Sequence, residues 1–103
     1  MIVIKGRIKE YTSTAGLGSI QLEGAESGFL SFSSVCNELD IVYYCITHQN
    51  NLEWELGKGI FSNNEIIRDQ VFESSNDSDY VDFTQGGKEI FLTHPSKLLD
   101  LVS

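Results

Sequence analysis

The dominant period of the sequence is two. Apolar and polar residues alternate over Ile2–Lys9, Leu17–Leu22, Leu52–Phe61, Ile66–Phe72 and Lys88–Thr93, and Ile41–Thr47 reads IVYYCIT, rich in β-branched and aromatic residues. A period of two places successive side chains on opposite faces, which suits strands and not helices. Turn-forming stretches separate these runs at fairly even spacing: Ala15-Gly16, Gly24–Gly28, Asn37–Asp40, His48–Asn51, Ser62–Asn64, Ser74–Asp79 and Gln85–Gly87. Gly, Asn, Asp and Ser accept left-handed backbone or close Asx turns, so the punctuation has a mechanism. The pattern predicts an all-β chain, a small antiparallel β-barrel or sandwich. Two segments depart from it. Phe29, Phe32 and Val35 recur every third residue, which predicts a helical turn near Phe32. Ser96 as N-cap, with Leu98, Leu99 and Val102 on one side, predicts a short C-terminal helix.

The chain has 103 residues, the size of one domain, read as 1–103 without linker or repeat. A hydrophobic fraction of 41% is too high for a disordered acidic tail. The N-terminal segment lacks the apolar core of a signal peptide, and no apolar run is long enough for a membrane-spanning helix. Fifteen acidic residues against seven basic ones give a net charge of −8. Such a surface repels phosphate backbones and anionic lipids, so neither nucleic acid nor membrane is an expected partner.

No motif for chemistry is complete. Gly16-Leu17-Gly18 begins like a dinucleotide loop, but Gln21 stands where the third glycine is needed. Gly57-Lys58 begins like the end of a phosphate loop, but Leu52 and Gly59 break it. Cys36 and Cys45 make no zinc pattern with two histidines, and read as small buried hydrophobes; whether they pair is a question of geometry. His48 and His94 are expected in solvated loops. Asp77, Asp79 and Asp82 offer oxygen ligands to calcium but lack the twelve-residue loop, so they read as a solvated turn. Glu53 and Glu55 share a strand face and are expected on the solvent side, with Trp54 opposite them in the core. The expectation is a non-enzymatic protein without cofactor or metal.

Lys5, Arg7 and Lys9 would share one face of a regular first strand. That face reads either as edge protection or as a basic contact stripe for an acidic neighbouring subunit. The apolar run Leu98, Leu99, Leu101 and Val102 either closes the core or docks on a partner. Exposed Tyr11, Tyr43 or Tyr80 could stack on sugar rings, the chemistry of a glycan-binding module.

Read in order, several segments resemble a family of small β domains common in tailed-bacteriophage virion proteins. Ile8-Lys9-Glu10-Tyr11-Thr12-Ser13-Thr14-Ala15-Gly16-Leu17-Gly18 is similar to its opening, typically V-K-E-T-T-T-T-T-G-T-G. Gly24–Phe29 with Ser31-Phe32, then Val42–Ile46 and Trp54–Gly59, are similar to its next segment and central hairpin. Ile67-Arg68, Val71 and Ser74-Ser75-Asn76 resemble its L-x-R-T-x-V-x-x-S-S-N block. Val81–Phe83, Gly87-Lys88, Ile90-Phe91 and Pro95 resemble its end. Tyr11, Ala15, Leu17 and Asp69 depart from the pattern. The family is sometimes labelled by likeness to the first catalytic cysteine half-domain of ubiquitin-activating enzymes, but nothing in these residues suggests adenylation or thioester transfer. The resemblance implies a virion structural protein, a tail or tail-fibre module or a capsid decoration protein, that oligomerises and contacts other virion proteins. Within it, Trp54, Tyr44, Phe29, Phe32 and Phe91 are the expected large core residues. Gly57 and Gly59 are expected at a bulge, and Arg68 is expected to pair with a carboxylate or cap carbonyls.

Overall fold

The computed structural model describes residues 2–3 and 6–93. Lys5, His94, the predicted C-terminal helix and the run Leu98, Leu99, Leu101 and Val102 lie outside them. The chain is all-β. Its strands are β1 (Lys9–Thr12), β2 (Ile20–Gln21), β3 (Ile41–His48), β4 (Trp54–Ser62), β5 (Glu65–Ser74) and β6 (Lys88–Leu92). They form one antiparallel sheet in the order β1-β6-β3-β4-β5-β2. The expected helical turn is present as a 3-10 helix at Phe32–Ser34.

The sheet curls into a nearly closed barrel, and the segment after β2 closes most of the gap. Residues 23–30 run beside β1: Tyr11 N–H donates to Gly24 O at 2.9 Å, Glu23 N–H to Tyr11 O at 3.0 Å, and Lys9 N–H to Leu30 O at 3.2 Å. Backbone groups along the β1 edge are thereby satisfied, which reduces the hazard of an open edge there. The first strand starts later than the alternation suggested. Arg7 is left-handed, with φ of 61°, so regular pairing begins only at Lys9 and the face expected to carry Lys5, Arg7 and Lys9 is interrupted.

Curvature comes from β4. Register shifts occur between Leu56 and Gly57 and between Lys58 and Gly59 in its pairing with β5, as expected of bulges at strand glycines. The glycines also make room. A Cβ on Gly57 would collide with the Gln70 carbonyl and come within 2.8 Å of the Tyr44 hydroxyl. One on Gly59 would meet Ile66 Cγ2 at 2.7 Å and Ile67 O at 2.8 Å. The β4–β5 hairpin turns through Asn63 and Asn64, both left-handed, the arrangement whose twist matches that of the strands.

The core gathers Ile8, Ile20, Leu22, Phe32, Val42, Tyr44, Ile46, Phe61, Ile66, Val81, Phe83, Ile90 and Leu92. Tyr44 and Phe32 are core as expected, but three other expected fillers are not. Trp54 is 37% exposed, and Phe29 and Phe91 are half-buried on the outer face. On β4 the inward positions are Glu55, Gly57, Gly59 and Phe61, so Trp54 points out and Glu55 points in. The expected orientation of that strand is therefore reversed: the glycines, not the tryptophan, accommodate the Tyr44 ring. The outer face carries a row across five strands, Lys9–Phe91–Cys45–Leu56–Glu73. Tyr43 and Phe72 stack beside it with centroids 6.2 Å apart.

Cys36 is buried, Cys45 is half-buried on the outer face, and both are free thiols. Burial pushes each thiol up to about 11, with the charges of Asp40 and Glu10 adding to the effect at Cys36. Among the described residues no helix is long and apolar enough to cross a membrane.

Candidate functional site

The most organised polar cluster is built on Glu55. Its side chain has no exposed surface, and a carboxylate removed from water must be paired and hydrogen-bonded. Three donors converge on it. The Tyr44 hydroxyl donates to Oε2 at 2.6 Å, and Val81 N–H and Arg68 Nη1 donate to Oε1 at 2.8 and 2.9 Å. Burial holds the Tyr44 hydroxyl well above the ordinary phenol range, and the Glu55 charge and hydrogen bond push it the same way. The group therefore remains a donor to the carboxylate.

Arg68 does both things expected of it. Besides the ion pair with Glu55, Nη1 donates to Val81 O at 3.0 Å, Nη2 to Gly16 O at 2.9 Å and Nε to Gly18 O at 3.0 Å. One guanidinium thus ties β5 to β4, to the turn 16–18 and to the loop leading to Val81. Backbone bonds between Gly16 and Phe83, at 2.8 and 3.2 Å, join the same two loops. Gly16 is left-handed, with φ of 96°, which explains why glycine is used there.

Above Arg68 these loops leave an open cleft of about 450 Å³, lined by Leu17, Arg68, Asn76, Asp79, Tyr80 and Asp82. The loop that walls it is internally fixed. Asn76 Nδ2 donates to Tyr80 O at 2.9 Å, Tyr80 N–H to Asp79 Oδ1 at 2.7 Å, and the Tyr80 hydroxyl to Asp69 O at 2.8 Å. The Arg68 guanidinium lies 5.8 Å from the Tyr80 ring centroid. Asp77, Asp79 and Asp82 are exposed, as expected of a solvated turn. Among the described residues no three His, Cys, Asp or Glu side chains gather as metal ligands.

A second polar cluster lies beside β6. His48 was expected in a solvated turn, but it is buried at the end of β3. It continues the inward series Val42, Tyr44, Ile46, and the loop 85–87 folds over it. Asn50 N–H donates to Nδ1 at 3.1 Å, and Nε2 lies 3.0 Å from Gln85 O. The carbonyl can only accept, so the proton sits on Nε2. The paired residue Lys88 is also buried, its Nζ donating to Gly86 O at 2.7 Å. Burial lowers its pKa, opposed by the charges of Glu53 and Glu23. Glu53, expected on a solvent face with Glu55, instead accepts from Thr84 N–H at 3.0 Å.

Another buried acid, Glu10, accepts from Gly24 N–H at 3.0 Å and from Phe32 N–H at 2.7 Å. It fixes the segment beside β1 and caps the 3-10 turn. Of the expected subunit-contact residues, Arg7 and Lys9 are described. They converge on one ring: Arg7 Cζ lies 4.8 Å and Lys9 Nζ 4.5 Å from the Phe29 centroid. Arg7 also donates to Gly28 O at 2.7 Å. The structure does not bring these residues near the cleft.

Sequence reasoning missed Glu55 and Glu10 as buried acids. The signal for Glu55 was parity with Gly57, Gly59 and Phe61. No family model, curated protein or solved structure matches this chain.

Proposed function

We propose that this chain is a non-enzymatic structural protein of a tailed-bacteriophage virion, a tail or tail-fibre accessory module that assembles with other virion proteins and with copies of itself. The observation that supports this reading is where the phage-like motif residues go. Arg68 is consumed by Glu55 and three carbonyls. Gly57 and Gly59 admit the Tyr44 ring and β5. Glu10 holds two backbone amides, and Ser74 and Asn76 shape the loop before Tyr80. These motif residues serve as scaffold contacts of the barrel, which fits a module whose work is assembly or binding. Arg7 and Lys9, flanking Phe29 on the outer face, are the described part of the proposed contact surface.

Mass spectrometry of purified particles of the phage that encodes the chain tests this reading. The chain is expected as a stoichiometric component that survives density-gradient purification. Its absence from the particles, with abundance in the infected-cell lysate, would overturn the proposal.

A further inference from the structure

The cleft above Arg68 has a chemistry of its own. Two of its walls are apolar: the Tyr80 ring and Leu17, which is 58% exposed. The remaining open groups are mainly acceptors. Asp82 makes no hydrogen bond within the described chain, Asp79 has committed only one carboxylate oxygen through its side chain, and Asn76 has committed its Nδ2 but not its Oδ1. The Arg68 charge is matched by Glu55, with 2.9 Å between them. An acceptor-rich cleft with an aromatic wall suits a ligand that offers several hydroxyl donors and an apolar C–H face. A pyranose ring has both. The exposed carboxylates disfavour acidic sugars.

We propose that this cleft is a carbohydrate-binding site for an uncharged hexopyranoside, which stacks on Tyr80 beside Leu17 and donates hydroxyls to Asp82, Asp79 and Asn76. The site is pre-formed. Tyr80 is held through its hydroxyl, its N–H and its carbonyl, and Arg68 fixes the turn bearing Leu17 from below. A ligand would therefore order little on entry, which favours affinity. The site goes beyond the virion assignment and does not rest on it, since particle composition and sugar binding are read separately.

The test is a titration of ¹⁵N-labelled full-length protein with methyl glucoside, methyl galactoside and methyl mannoside, with methyl glucosaminide and methylammonium chloride as cationic controls. At least one neutral glycoside is expected to shift the amides of residues 16–18 and 76–82 saturably. Asp82→Asn removes a charge that no internal bond uses, so the fold survives; it should weaken binding by about tenfold or more. Tyr80→Ala should abolish binding, and Tyr80→Phe, which keeps the ring, should retain it. The proposal is overturned if none of the three neutral glycosides moves these amides, if only the cationic probes do, or if Asp82→Asn and Tyr80→Ala bind as the wild type does.

Discussion

Replacing Arg68 by Met would leave Glu55 buried with no counter-charge. Both side chains of the pair are essentially inaccessible, at 2% and 0% exposure. Breaking a buried pair by removing one partner costs about 3–5 kcal/mol. The carbonyls of Gly16 and Gly18 lie in an accessible turn, where water can replace the guanidinium. The carbonyl of buried Val81 is less easily hydrated, and a lost hydrogen bond there adds about 1 kcal/mol or more. A total of about 4–6 kcal/mol is a large share of the roughly 5–15 kcal/mol that holds a typical domain together. With a urea slope of about 1–2 kcal/mol/M, the unfolding midpoint should fall by about 2 M or more. Glu55→Gln in the same background should recover part of the loss, because it removes the stranded charge, and the cycle should show a coupling of about 2 kcal/mol. The reasoning is refuted if Arg68→Met costs less than about 1 kcal/mol, or if the two substitutions add without coupling.

Other expectations are narrower. Gly57→Ala should destabilise by about 2–3 kcal/mol, since its Cβ collides with the Gln70 carbonyl and crowds Tyr44; Gly18→Ala, which meets nothing within 4 Å, should be near neutral, and equal costs in denaturant melts would contradict the packing argument. Glu23 accepts the Ser13 N–H and hydroxyl, which lower its pKa below 4.5; its contribution to stability is present above that value and is lost as pH falls through the folded pKa, so an NMR midpoint at or above 4.5 would refute it. Glu26 is raised by burial and by Glu89; its favourable contribution is present below 4.5 and is lost as pH rises through the folded pKa, so Glu26→Gln should stabilise at pH 7 and lose that gain in acid, as pH-dependent melts would show. Cys36 and Cys45, each pushed up to about 11, should react slowly with an aromatic disulfide reagent at pH 8 and release two equivalents after unfolding; two fast equivalents from the folded protein would contradict their placement.

Strand identity was largely legible because it rests on local alternation. β3, β4, β5 and β6 lie close to where Ile41–Thr47, Leu52–Phe61, Ile66–Phe72 and Lys88–Thr93 placed them. Orientation was less legible. Trp54 is the largest apolar residue on β4, and hydrophobicity alone points it inward. The barrel interior there is filled from the neighbouring strand β3 by Tyr44, which leaves room for hydrogen at Gly57 and Gly59 and a need for an acceptor at Glu55. Such a choice depends on a partner eleven residues away, and the pattern of one strand does not contain it. The turn at Arg7 escaped for a related reason: its left-handed backbone is supported by contacts with Gly28 and Leu30. Arg68 was legible as a structural residue. The cleft above it was not, because it arises where two loops distant in sequence meet.

Immunogold labelling of intact particles with antibody to this chain tests the proposed function most directly. Label on the tail or its fibres is the predicted result, and it would turn attention to what the Tyr80 cleft meets there. Label spread over the head would contradict the tail assignment and make the chain a capsid decoration protein. Particles that carry no label, with the chain also missing from their protein content, would contradict the virion account as a whole.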